Sequence, residues 1–455
     1  MKESLKEIMD LNELKNLLRE KGIAGAGGAG FPTYAKLDKR AETIILNSAE
    51  CEPLLTLHRQ CLKVHAEEIL EALETVRITV EADNAIIGIK AEYEDTVQEL
   101  KRHLMKFPNI SLHLLSSVYP MGDEVVLIYE ATGKVVRPGG LPIEQGVAVF
   151  NVETMYNISR ALRSGTAVTE KLVSIVGEVE NPVTVRLPIG TSISEAVSFA
   201  GGIKIKDPVF FVGGPMMGRI MDGESPVTKT TNAVIVLPED HKLVLKKKQN
   251  PSIGLKRAAS VCCQCQMCTD LCPRHSLGHP IKPHLFMRAA ANRDFSDMNP
   301  FLDTFFCSSC GLCELYSCPQ GLSPRSLIAV YKSGLREKGV KAPSDPVIKA
   351  VSEGRELRKA PEERLAARLG VSSYESDAPL DDTVKDVYKV QVLFSQHIGA
   401  PAEPVIKAGD QVKKGDVIGR YKEDALSISV HAPIDGRVET VTGRFAVING
   451  GYGAR

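Results

Sequence analysis

Eight of the eleven cysteines in this chain fall into two runs, Cys262-x2-Cys265-x2-Cys268-x3-Cys272-Pro273 and Cys307-x2-Cys310-x2-Cys313-x4-Cys318-Pro319. Such spacing commits the segment to short loops wound round bound metal. Soft thiolate ligands suit iron, and two runs of this kind read as two 4Fe-4S clusters. Where two such runs occur together, the fourth cysteine of each ligates the other cluster. One cluster is then expected on Cys262, Cys265, Cys268 and Cys318, the other on Cys307, Cys310, Cys313 and Cys272. Zinc is the rival reading, because paired C-x2-C units also build zinc sites. A zinc knuckle needs only two pairs, however, and gives no role to a third thiolate followed by Cys-Pro. Cys263, one residue out of phase, is expected as a packed thiol, and Cys51 and Cys61 as buried free cysteines.

The 455 residues are too many for one core and predict three or four domains. The 56 basic and 56 acidic residues cancel, Trp is absent and aromatics are only 5%. Neither an electrostatic nor a stacking case for nucleic-acid binding exists. The basic run Lys242 to Lys248 reads as a solvated connector. No stretch approaches the roughly 18 apolar residues of a membrane span and the start lacks a signal core, so the expectation is a cytoplasmic protein that is not integral to a membrane.

Helical spacing of Ile8, Leu11, Leu14, Leu17 and Leu18 predicts a helix over 8–21. Apolar strands follow over 43–46, 85–89 and 111–115, with helices over 61–77 and 93–106, an alternation that argues an α/β sheet covered on both faces. From Lys171 to Leu237 the pattern changes to a small β-grasp-like module. Helices are expected over 284–292, 323–337 and 353–368. The C-terminal stretch alternates short strands with Gly-Asp turns, giving a small β sandwich.

Gly25, Gly27, Gly28 and Gly30 let a backbone approach a ligand closely, and successive amides can form an anion nest. The segment precedes the first clear strand, so it is not the dinucleotide fingerprint. Taken alone, a packed helix C-cap accounts for it equally well. The turn Asn47-Ser48-Ala49-Glu50-Cys51-Glu52-Pro53 lies at a strand end, where open α/β sheets bind ligands. There Asn47 could hydrogen-bond a planar heterocycle and Glu50 or Glu52 could accept from ribose hydroxyls. The other reading makes them turn and cap residues. His275 and His279, between the cysteine runs, are expected as local histidines rather than ligands.

In combination, Gly25 to Thr33 with Lys36, Asn47-x-x-Glu50-x-Glu52-Pro53, Tyr119-Pro120-x-Gly122-Asp123-Glu124, Pro138-Gly139-Gly140-Leu141-Pro142, Asn151-Val152-Glu153-Thr154 and Gly213-Gly214-Pro215-Met216-Met217-Gly218 resemble one family. It comprises the flavin-bearing 51 kDa subunit of respiratory complex I, the RnfC component of the Rnf complex and the cobalamin reductase of propanediol-utilisation microcompartments. The resemblance implies a multidomain α/β chain. A Rossmann-like α/β domain binding FMN and NADH is expected over 1–165, and an SLBB β-grasp domain over 166–240. A ferredoxin-like dicluster helical domain is expected over 255–340, a linker over 341–387 and a barrel-sandwich hybrid β domain over 388–455. The C-terminal position of the last matches the cobalamin reductase order.

By resemblance, the amides of Gly25 to Gly30 and the Lys36 ammonium hold the flavin phosphate and ribityl chain. Asn47 and Asn151 contact the flavin, Glu52 and Glu124 face the dinucleotide, and Phe31 stacks nearby. No side-chain acid or base is assigned, because the cofactors carry the chemistry. The implied activity is transfer of electrons from NADH, through FMN and two clusters, to a corrinoid or a protein acceptor such as a corrinoid-dependent enzyme or adenosyltransferase. Ferredoxin and microcompartment shell proteins are further expected partners, and the inside of a microcompartment a further expected location. The alternative is an Rnf-like relay between ferredoxin or membrane partners and a terminal reductase, without NADH activity. The complex I pattern carries an arginine where this chain has Ala26, which removes a cation from the loop. The sandwich resembles biotinyl and lipoyl domains, but Asp424 to Val430 has no lysine to modify, so docking or packing is its expected role.

Overall fold

Strand β1 (Thr43–Ser48) is apolar at every position from Ile44 to Leu46, as a strand buried on both faces must be. In the computed structural model, which describes residues 9–451, it lies inside a four-stranded parallel sheet. The elements run in the order α1 (Leu11–Glu20), β1, α2 (Leu57–Val64), α3 (Ala66–Thr79), β2 (Asn84–Lys90), α4 (Glu94–Leu104), β3 (Ile110–Leu115), β4 (Val118–Tyr119), α5 (Glu124–Thr132), β5 (Val147–Asn151) and α6 (Val152–Ser164). An Asp10–Glu13 capping box starts α1, with Leu14 and Leu18 buried, while Ile8 lies outside the described residues. The helix expected over 61–77 is two helices that meet at His65. Sheet order is β3-β2-β1-β5. The chain thus leaves β1 in one direction for β2 and β3 and returns to its other side at β5, which makes the β1/β5 boundary the topological switch point.

The two faces of this sheet have different partners. Ile44, Leu46, Ala148 and Phe150 pack under α1, α2, α3 and α6. Ile45, Val147 and Val149 face the other way, onto Val126 and Ile128 of α5. That second core continues into Phe211, Met216 and Ile235 of the next domain, Leu312 and Leu315 of the cysteine region, and Leu365 and Leu369.

The next domain holds β6 (Glu170–Gly177), β7 (Val183–Pro188), α7 (Ile193–Ser198), β8 (Pro208–Val212), β9 (Arg219–Met221) and β10 (Ala233–Pro238). Its sheet is ordered β7-β6-β10-β8-β9, and Leu380–Val384 adds a sixth strand beside β7. The stretch 341–387, expected as a linker, is therefore partly built into neighbouring domains. The helix expected over 353–368 is confined to Glu362–Leu369. Pro361 disfavours helix at the residue before it, and Ala360 instead pairs with Tyr119 as a short antiparallel strand.

The cysteine region is helical, with Pro283–Asn292 and Pro324–Glu337 packed through Phe286, Phe301 and Tyr331. Lys242–Lys247, expected as a solvated connector, is a helix whose Leu243 and Val244 are buried. Lys246 donates to Gly321 O at 2.7 Å and Lys247 to Met216 O at 2.9 Å. The run therefore fastens the cysteine region to the second domain, a role that its charge pattern alone did not show. The C-terminal domain is a sandwich of a four-stranded and a three-stranded antiparallel sheet over Val390, Val392, Phe394, Ile418, Val438 and Ile448. Among the described residues no helix is long and apolar enough to cross a membrane.

Candidate functional site

The eight paired cysteines gather in two crossed sets. Cys272 lines one cavity with Cys307, Cys310 and Cys313. Cys318 lines another with Cys262, Cys265 and Cys268. Among the described residues no three of these side chains converge as a single metal ion demands; each set stands round its cavity instead. Four soft donors at the rim of a cavity fit the corners of an iron-sulfur cube. Cys263 is exposed rather than packed, although it also borders the second cavity. Cys51 and Cys61 are buried. His279 hydrogen-bonds Val136 O at 2.9 Å, whereas His275 Nδ1 is buried without a partner.

The set containing Cys272 is the one that faces the first domain. The Tyr119 hydroxyl donates to Cys310 O at 2.6 Å. Arg274, two residues after Cys272, pairs with Asp123 at 2.8 Å, while the other oxygen of Asp123 caps α5. Gly139 lies against the Phe306 ring and Gly311 against Met216.

At the switch point, Asn47 and Asn151 are register partners at the C-terminal ends of β1 and β5. Asn47 donates to Gly122 O at 3.0 Å, and its Oδ1 accepts from Ala49 N at 3.2 Å. Asn151 caps α6 through Oδ1, and its Nδ2 lies 3.0 Å from His58 Nε2. Burial lowers the His58 pKa to about 4, which keeps the ring neutral and able to accept that bond. The glycine segment crosses in front of these ends. Ala26 N donates to Thr154 Oγ1 at 2.9 Å, which removes that amide from any ligand. The amides of Gly27, Gly28, Ala29 and Gly30 make no hydrogen bond to protein among the described residues.

The four glycines are not equivalent. Gly28, at φ 62°, has open space where a side chain would stand. Gly25 is in ordinary contact with Phe31, and Gly30 is covered by Thr230 and Gln396 from two later domains. Lys36 donates to Val149 O at 2.9 Å and lies 3.7 Å from Glu124 and 6.0 Å from the Phe31 ring centroid. Thr33 Oγ1, Ser48 Oγ and Asn232 Oδ1 are buried without a partner. Free amides, orphaned buried oxygens, two asparagines and a lysine at one switch point fit a phosphorylated, hydroxyl-rich heterocycle such as FMN.

Two of the expected ligand acids are held by protein. Glu50 is buried and accepts from His58 N at 2.7 Å and Arg59 N at 3.2 Å, so it caps α2. Glu52 accepts from Met216 N at 2.7 Å and Met217 N at 3.0 Å, pinning the Gly213–Gly218 loop to the turn after β1. A side chain at Gly214 would collide with that carboxylate. Burial raises the pKa of both acids and outweighs the amide bonds. Of the acids singled out, Glu124 alone stands half-exposed beside Lys36. Sequence reasoning missed His58 and Asn232, which carry no motif signal of their own. It quoted Tyr119 and Thr154 in motifs without giving either a role.

Family models match along the chain: the Nuo51 FMN-binding domain over 18–160, the SLBB domain over 172–220, a 4Fe-4S dicluster domain over 261–323 and the RnfC barrel sandwich hybrid domain over 376–452. Cobalamin reductase PduS of Citrobacter freundii is 38% identical over 441 residues, 96% of each chain. The PduS of Salmonella typhimurium is 37% identical over 442 residues, 96% of this chain and 97% of that one. A component of the Na(+)-translocating ferredoxin:NAD(+) oxidoreductase complex of Acetobacterium woodii is 30% identical over 275 residues, 59% of each. The chain therefore belongs to the family of the cobalamin reductase PduS, oxidoreductases that join an FMN-binding domain, an SLBB domain, a 4Fe-4S dicluster domain and a barrel sandwich.

Proposed function

We propose that this protein takes electrons from NADH and delivers them singly to a corrinoid. The observation that carries the reading is the contact of Tyr119 and Asp123 with Cys310 and Arg274, which sets one cysteine cavity directly against the flavin domain. FMN at the switch point would supply the exchange between a two-electron donor and one-electron carriers. The free amides of Gly27 to Gly30 and the ammonium of Lys36 would hold its phosphate and ribityl chain. Asn47 and Asn151 would orient its ring, with Gly25 and Phe31 shaping the loop. Glu124 would meet the dinucleotide, whereas Glu50 and Glu52 hold the walls of the site. Cys272, Cys307, Cys310 and Cys313 would bind the cluster nearer the flavin, and Cys262, Cys265, Cys268 and Cys318 the farther one. The supporting relatives are the two cobalamin reductases.

The setting that goes with this reading is the cytoplasm, within a microcompartment, beside a corrinoid adenosyltransferase. The test of the reaction is anaerobic incubation of the FMN- and iron-loaded protein with NADH and aquacobalamin, followed in the visible spectrum. Reduction of the cobalt that needs NADH and both cofactors is expected. A fully loaded protein that leaves the corrinoid oxidised would overturn the acceptor.

A further inference from the structure

We propose that Asn232, a residue of the second domain, is a contact residue of the flavin site, its Oδ1 accepting a hydrogen bond from a ribityl hydroxyl. This rests on the flavin reading above. Asn232 stands immediately before β10, and its backbone oxygen accepts from Ser174 N at 2.9 Å, which fixes it on the sheet. Its side chain crosses the domain boundary: Nδ2 lies 2.9 Å from the point where a Cβ on Gly27 would stand, and Asn151 Nδ2 lies 3.6 Å from that same point. A side chain at 27 would therefore displace the asparagine amide. Thr230, two residues earlier, presses its methyl on Gly30 in the same way.

Within this tight contact Asn232 Oδ1 is buried and has no partner. A buried carbonyl oxygen without a donor is destabilising, so such atoms are as a rule paired. What it lacks is a hydrogen-bond donor. Phosphate oxygens accept and do not supply one. The oxidised flavin ring carries a single N–H, at the end remote from its ribityl chain, whereas that chain carries hydroxyls next to the phosphate. With the phosphate on the amides of Gly27 to Gly30, the donor beside Gly27 is a ribityl hydroxyl. The second domain is thus part of the flavin site and not only a spacer between flavin and clusters.

The test is titration of the full chain with FMN and with riboflavin, which keeps the ribityl chain and lacks the phosphate, read by quenching of flavin fluorescence. Asn232→Ala is expected to weaken both ligands by roughly five- to tenfold, the loss of one hydrogen bond. Iron content and melting temperature stay at the starting values. Thr230→Val keeps the methyl contact on Gly30 and is expected to change neither affinity. Unaltered FMN affinity in Asn232→Ala overturns the assignment, as does an equal loss in Thr230→Val, which keeps the methyl and loses only the Thr228–Thr230 hydroxyl contact and would so assign the effect to the turn before β10 rather than to the Asn232 amide. Weakening of FMN but not of riboflavin overturns it in favour of a phosphate contact. A starting protein that binds no flavin overturns the flavin reading itself and is told apart by that control.

Discussion

The hydroxyl of Tyr119 donates a 2.6 Å hydrogen bond to the backbone oxygen of Cys310, and so joins the short strand β4 of the first domain to a loop of the second cysteine run. Tyr119 is buried, so no water replaces the bond when it is lost. Tyr119→Phe is expected to keep flavin and iron, to lower stability by about 1 kcal/mol and to slow cluster reduction after mixing with NADH. Stopped-flow absorbance and thermal unfolding read the two effects. Unchanged values in both would mean that the contact neither braces the interface nor serves transfer.

The crossed cavities make a prediction about cysteine pairs. Cys272→Ser and Cys307→Ser should abolish the same EPR signal, and Cys318→Ser and Cys262→Ser the other, because each pair lines one cavity. Cys263→Ser, at an exposed position, should leave iron content unchanged. If Cys272→Ser instead matches Cys262→Ser, the runs bind their clusters without crossing.

How far all this was legible in the sequence differs by residue. The cysteine sets were legible because metal-ligand spacing is local, and so were β1, β2 and β3, whose apolar runs need only the neighbouring strand. Glu50 and Glu52 were legible as important and not as caps or latches. The partners of Glu52 lie 164 and 165 residues away, and nothing in a turn sequence marks them. The stretch 341–387 read as a linker because it is polar and charged. Its docking depends on a few residues, such as Ala360, Leu365 and Leu369, that find an apolar surface made by other domains. The buried Lys90–Glu362 pair on the same segment was invisible for the same reason.

Glu52 also carries a pH dependence. Burial raises its folded-state pKa, so the native protein keeps a proton that the unfolded chain releases near the ordinary glutamate value of about 4.3. Its contribution to stability is full below that value and fades as pH rises through the raised one. The stability of the protein relative to Glu52→Gln should therefore fall with rising pH over that window. Thermal unfolding of both from about pH 5 upward tests this, and a difference that grows with pH would contradict it.

Lys229 gives the opposite slope. It is buried, with no carboxylate beside it among the described residues, bonded to Gly22 O at 2.6 Å and Ser429 O at 3.3 Å, and burial lowers its pKa to about 7. The unfolded chain holds this proton up to about pH 10.4. Stability should then rise between about pH 7 and 10, by on the order of 2 kcal/mol over the first two pH units. Lys229→Met should flatten that rise. An equal rise in the variant, read by thermal unfolding, would assign it to other groups.

In the proposed reaction NADH, flavin and both clusters form one electron route in this chain. Anaerobic titration of the FMN- and iron-loaded protein with NADH, followed by visible absorbance and EPR, tests it most directly. Loss of the flavin band together with the signals of two reduced clusters is expected. Clusters that dithionite reduces while NADH leaves both flavin and clusters oxidised would contradict it.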